Sequence, residues 1–133
     1  MVQEAIAIKH PTIKYSFALA NVADSQTGTA VPILGGVVNA YIMPLNGSIV
    51  GYAINYSATL SAGSTDFDLL VAGSSTLTIA ADTVSVYKLI DEGTEPFVAG
   101  NTLAVSYTTD GNVEANTVDV VVDVFVVFRN FEF

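Results

Sequence analysis

The sequence predicts an all-β fold, an antiparallel sandwich or barrel, and three observations predict it. Apolar residues recur with a period of two along most of the chain, which places them on one face of a pleated strand. Valine is dense in the clearest of these stretches, and β-branching costs little on a sheet and more in a helix. Turn signals separate the stretches at intervals of roughly 8–12 residues, the spacing of sandwiches and barrels. No ten-residue stretch pairs a helical period with caps.

Taken in order, Ile13 to Ala20 is the first predicted strand. Asn21 to Gly36 (NVADSQTGTAVPILGG) begins polar and then carries Pro32 and the Gly35-Gly36 pair. It reads either as a long internal loop or as an extended arm whose backbone pairs with a partner's sheet edge. The chain therefore divides into an N-terminal strand and arm segment, 1–36, and a β core, 37–133, within one domain. The core opens with a predicted strand over Val37 to Met43. Ser48 to Ser57 sets Val50, Tyr52, Ile54 and Tyr56 against Ile49, Gly51, Ala53 and Asn55. Thr65 to Val71 places Phe67, Leu69 and Val71 opposite Asp66 and Asp68, and Thr83 to Ile90 and Thr102 to Thr108 continue the series.

The strongest strand is Thr117 to Phe128, with Val118, Val120, Val122, Val124, Val126 and Phe128 on one face. Its other face reads Asp119, Val121, Asp123, Phe125, Val127, Arg129. That face starts charged and turns apolar, so the strand is expected to start in solvent and run beneath something. Between strands, Asn46-Gly47 and Asp110-Gly111 supply residues that tolerate the positive φ of tight turns. Ala62-Gly63-Ser64, Gly73-Ser74-Ser75 and Ala99-Gly100-Asn101 read as loops.

Composition narrows the functions. The 133 residues open with Met and read as one complete chain, large enough to bury a core without a disulfide or metal. There is no cysteine, which removes disulfides, thiol nucleophiles and cysteine-ligated zinc. Charged residues are 13% of the chain against about 25% in ordinary soluble domains, while hydrophobic residues reach 51%. No apolar run approaches the ~18 residues of a spanning helix. The surplus of apolar residues implies that some surface is covered by other subunits. The net charge is −9, with only Lys9, Lys14, Lys88 and Arg129 basic. No basic cluster exists to replace the counterions of nucleic acid or to sit on an anionic membrane. Ala18-Leu19-Ala20 resembles a cleavage site, but Tyr15 to Leu19 is too short for the apolar core of a signal peptide.

Catalytic chemistry finds no foothold. His10 is the only histidine, and no Gly-x-Ser-x-Gly elbow accompanies it. Asp66 with Asp68, and Asp119 with Asp123, share strand faces, yet a glycosidase needs carboxyls across a cleft, usually walled by aromatics. Tryptophan, the common sugar platform, is absent. These aspartates read as the solvent face of half-buried strands. Asp91, Glu92 and Glu95 around Gly93 read as a solvated loop, with a weak cation site as the sharper alternative. The glycines are dispersed, and no phosphate-cradling motif occurs. The expectation is no catalytic residue, no cofactor and no metal.

Two short motifs carry a family resemblance. Met43-Pro-Leu-Asn-Gly-Ser-Ile-Val-Gly-Tyr-Ala-Ile54 resembles a recurring module of tailed-phage virion proteins, in which Pro and a small-residue turn lead into the strand Gly-Ser-Ile-Val-Gly. Phe97-Val-Ala-Gly-Asn101, followed by Leu103 to Thr109 and the closing strand Val118 to Phe128, is similar to the rest of that module. The resemblance spans about residues 40–129 and leaves the first third uncovered. It implies a jelly-roll-like β-sandwich, here with an extended N-terminal arm, in a trimer of the capsid-decoration or head-fibre type. It carries no catalytic residues.

The expected function is that of a capsid decoration (cement) protein, a homotrimer bound to the major capsid protein on the surface of a phage head. The chain lacks the coiled-coil or collagen-like shaft of a fibre. The expected interface residues are Val121, Phe125 and Val127, with Phe131 and Phe133 of the tail. The alternative is a receptor- or carbohydrate-binding domain of a phage fibre or bacterial surface protein, which a glycan array separates from a cement protein.

Overall fold

In a computed structural model, the residues described are 11–33, 38–60, 62–81, 85–113 and 118–129. Ten strands and no helix occur among them: β1 (Thr12–Leu19), β2 (Thr29–Val31), β3 (Ala40–Ile42), β4 (Gly47–Tyr56), β5 (Thr65–Val71), β6 (Ser74–Ala80), β7 (Val86–Leu89), β8 (Glu95–Phe97), β9 (Thr102–Thr109) and β10 (Val120–Phe128). They form two antiparallel sheets. The first runs β1-β10-β4-β7, with β8 also paired to β4, and the second runs β2-β9-β5-β6, with β3 also paired to β9.

The connectivity is that of one long hairpin rolled on itself. If β2 with β3, and β7 with β8, each count as one interrupted strand, eight strands remain. The first then pairs with the eighth, the second with the seventh, the third with the sixth and the fourth with the fifth. Rolling adds two lateral contacts, β10 on β4 and β9 on β5. That is a jelly roll, as the sequence leads one to expect.

Alternation makes the core. Phe17, Ile49, Ile54, Val120, Val122, Val124 and Val126 point inward from the first sheet and meet Val31, Phe67, Leu69, Leu103, Val105 and Tyr107 of the second, all buried. Phe67 and Tyr107 stack with ring centroids 6.2 Å apart, and burial pushes the Tyr107 hydroxyl above its ordinary pKa. Tyr41 packs edge-on to Phe17, and its hydroxyl donates to the Ser16 carbonyl at 3.0 Å.

Three details depart from the sequence reading. In β4 the inward set is Ile49, Tyr52, Ile54 and Tyr56, not Val50 with the others. A bulge leaves Val50 without a partner in β10, because Phe125 faces Gly51 and the next residue, Val126, faces Ile49. Gly73-Ser74-Ser75 is not a loop throughout: the turn is Ala72-Gly73, at φ 54° and 83°, and β6 starts at Ser74. Neither Asn46-Gly47 nor Asp110-Gly111 uses positive φ. Asp110 instead bends its loop with its carboxylate, which accepts the Asn112 N–H at 2.9 Å.

Of the N-terminal segment, residues 12–19 and 29–31 are strands paired within this chain. The described part of Asn21–Gly36 follows the internal-loop reading: Val22 N–H donates to the Val118 carbonyl and Ser25 N–H to that of Asp110. Residues 1–10, with His10, and 34–36 lie outside the described residues.

Candidate assembly surface

Residues paired across a sheet point to the same side, so the register gives the outer face of the first sheet row by row. One row is Lys14, Phe125, Gly51 and Leu89. The next is Ser16, Asp123, Ala53 and Tyr87, and beyond it lie Ala18, Val121 and Asn55. Tyr87 and Leu89 are 76% and 78% exposed, the highest values among the described large apolar residues. Phe125 and Val121 are half-buried. Gly51, between Phe125 and Leu89, is covered: a Cβ there would come 3.0 Å from the Lys88 carbonyl oxygen and 3.5 Å from Leu89 Cδ2. Phe125, Leu89, Tyr87, Ala18, Ala53 and Val121 make most of this face apolar, with Lys14, Ser16, Asp123 and Asn55 among them, and Tyr87 and Leu89 project from it.

Its one central carboxylate is engaged. Asp123 is half-buried and accepts a hydrogen bond from the Ser16 hydroxyl at 2.5 Å. The outer face of the second sheet differs. It carries Asp66 and Asp68, with Ser106, Thr108 and Thr78 beside them. Asp68 accepts from the Thr78 hydroxyl at 2.6 Å and the Ser75 hydroxyl at 3.3 Å. The two outer faces thus differ in emphasis: Tyr87, Leu89, Phe125 and Val121 dominate the first, and Asp66, Asp68, Thr78, Ser106 and Thr108 the second, where Leu70, Ala80 and Ala104 also lie.

Of the residues singled out from the sequence, Val121 and Phe125 lie together on the apolar face. Val127 does not contribute accessible surface there. It is 5% exposed, and the Gly93 amide of the β7–β8 turn donates at 3.1 Å to Ser48, its neighbour in β4. The strand does run beneath something, and that something includes its own chain. Phe131 and Phe133 lie outside the described residues. Tyr87 and Leu89 are the residues sequence reasoning missed. Alternation in Thr83–Ile90 sets them on a common face, but only pairing with Ala53 and Gly51 makes that face the outer one.

The carboxylates considered for chemistry have structural partners or solvent. Asp119 accepts the Asn21 N–H at 2.9 Å. Asp91 and Glu92 are exposed and Glu95 is half-buried. Among the described residues, no group of three or more histidine or carboxylate side chains is placed to hold a metal ion.

No family model matches the chain, and no curated protein matches it. A solved structure does: a chain of the cyanophage Pam1 capsid asymmetric unit aligns with a TM-score of 0.54 at 14% identity. The alignment covers 97% of this chain and 93% of that one. At this identity the likeness is one of fold, and it spans nearly the whole of both chains.

Proposed function

We propose that this chain is a structural protein of a tailed-phage head: a capsid decoration protein that forms a homotrimer, binds the major capsid protein on the outer surface and performs no catalysis. The observation that carries the reading is the outer face of the first sheet, where Tyr87 and Leu89 project beside Phe125. Fully covering a side chain of this kind stabilises by about 1.5–3 kcal/mol. Repeated around a ring, that gain holds copies together without any ion pair.

The shared fold with a chain of a cyanophage capsid asymmetric unit supports the virion setting, as do the two motifs that resemble phage virion proteins. A net charge of −9 keeps such an assembly dispersed. The function is then mechanical, since each bound trimer adds buried area that opposes rupture of the shell. The test is co-sedimentation of the purified chain with empty heads lacking it. Saturable binding at a fixed ratio to the shell subunits supports the reading, and free protein left wholly in the supernatant refutes it.

A further inference from the structure

The β3–β4 turn, the β7–β8 turn and the residue that follows β10 enclose a depression of about 230 Å³. Three side chains that line it carry hydrogen-bond donors: Asn46, Ser48 and Arg129. The backbone around each one is fixed. Arg129 N–H donates to the Asn46 carbonyl at 2.8 Å, which holds the arginine beside the asparagine. The Asn46 side-chain oxygen accepts the Ala99 N–H at 2.9 Å, leaving its amide N–H groups as the free end. Ser48 is 1% exposed, and its hydroxyl oxygen accepts the Gly93 N–H at 3.1 Å.

These donors are unspent. Among the described residues, no acceptor meets the Ser48 hydroxyl proton, the Asn46 amide N–H groups or the Arg129 guanidinium. No carboxylate lines the depression. Asp91 and Glu95 line the neighbouring one, with Lys88, and the exposed Glu92 lines neither. Arg129 thus makes no ion pair among the described residues, although the chain has 13 acidic residues and four basic ones. Pro96, Phe97 and Val98 supply apolar wall on the remaining side.

We infer that this depression is a binding site for a small monocarboxylate. The planar guanidinium of Arg129 takes both carboxylate oxygens in two parallel bonds. The Ser48 hydroxyl and the Asn46 amide donate to the lone pairs that remain. The substituent of the acid lies against Pro96, Phe97 and Val98. Charge decides against phosphate, because one arginine balances one negative charge and a second would meet a chain of net charge −9. Size is limited too, since about 230 Å³ falls below the ~300–1,000 Å³ of pockets for drug-sized ligands. Tyr87, Leu89, Phe125 and Val121 take no part, so the site stands or falls apart from the assembly face.

The experiment is an NMR titration of the isotope-labelled chain with sodium benzoate, sodium glucuronate and inorganic phosphate at equal ionic strength. Wild type should bind at least one of the two carboxylates, with saturable shifts of the Ser48, Gly93 and Val98 amides. Arg129→Gln, at an exposed position, should keep the fold and weaken binding at least tenfold. Ser48→Ala should weaken it several-fold, and Lys88→Gln, in the neighbouring depression, should bind as wild type does. A preference between benzoate and glucuronate tells an apolar acid from a sugar acid. No saturable shift with either carboxylate overturns the inference, as does an Arg129→Gln affinity equal to wild type. Phosphate bound as tightly as the carboxylates overturns it as well. Binding that appears only in Glu132→Gln would make the chain's own tail the occupant, and that result also refutes the proposal.

Discussion

Gly47 and Phe97 face each other across the β4–β8 pair with no room for another atom between them. A Cβ at Gly47 would come 2.8 Å from Phe97 Cζ and would overlap the Val127 carbonyl oxygen. The glycine of the Asn46-Gly47 signal is there for space, not for a left-handed turn. Gly47→Ala should therefore destabilise the fold by about 1–3 kcal/mol, the usual range for overpacking. Equilibrium urea unfolding checks this, and a midpoint equal to wild type contradicts it.

Ala72 sits at φ 54° in the two-residue turn between β5 and β6, followed by Gly73 at 83°. Both central positions are left-handed, as a type I′ hairpin turn requires, and alanine is a poor occupant of the first. Ala72→Asn should raise stability by about 0.5–1 kcal/mol. Thermal unfolding reads this directly, and a lower Tm would contradict the turn assignment.

Phe67 lies at the centre of the sandwich, stacked on Tyr107 and 6.4 Å from the ring of Tyr56. Phe67→Ala should cost about 3–5 kcal/mol, because the surrounding sheets close only partly over the space left. Denaturant unfolding at constant slope tests it. A loss below about 1 kcal/mol would mean that the two sheets do not pack as described.

The Asp110 carboxyl is held below its ordinary pKa of 3.8, chiefly by the Asn112 N–H that donates to it and also by the Ser64 hydroxyl. A depressed folded-state value contributes stability that is present above the unfolded pKa and is lost as pH falls through the folded one. Asp110→Asn should thus be less stable than wild type near neutral pH, with the gap closing as pH drops below 3.8. Urea midpoints across that window test the sign. A gap that widens in acid contradicts it.

The sheet strands were legible because their alternation is strong. Thr65–Val71 is bounded in the structure as in the sequence, and Val120, Val122, Val124 and Val126 all point inward. Short or irregular pieces were not. β2, at Thr29–Val31, and β8, at Glu95–Phe97, are three residues each, below the length at which a period can be seen. The parity of β4 at Ile49 was hidden because a bulge leaves no mark in the sequence of the strand that carries it. The assembly face was half legible for a related reason. Alternation put Val121 and Phe125 together within one strand, whereas joining Tyr87 and Leu89 to them needed the pairing of β7 with β4.

The outer face of the first sheet, with Tyr87, Leu89 and Phe125, is the surface that further copies are expected to cover. Analytical ultracentrifugation of the purified chain beside Phe125→Asp tests this most directly. Wild type should sediment as a trimer, and the variant should shift to monomer or aggregate. A wild-type chain that remains monomeric at high concentration, or a Phe125→Asp trimer as tight as wild type, would contradict it.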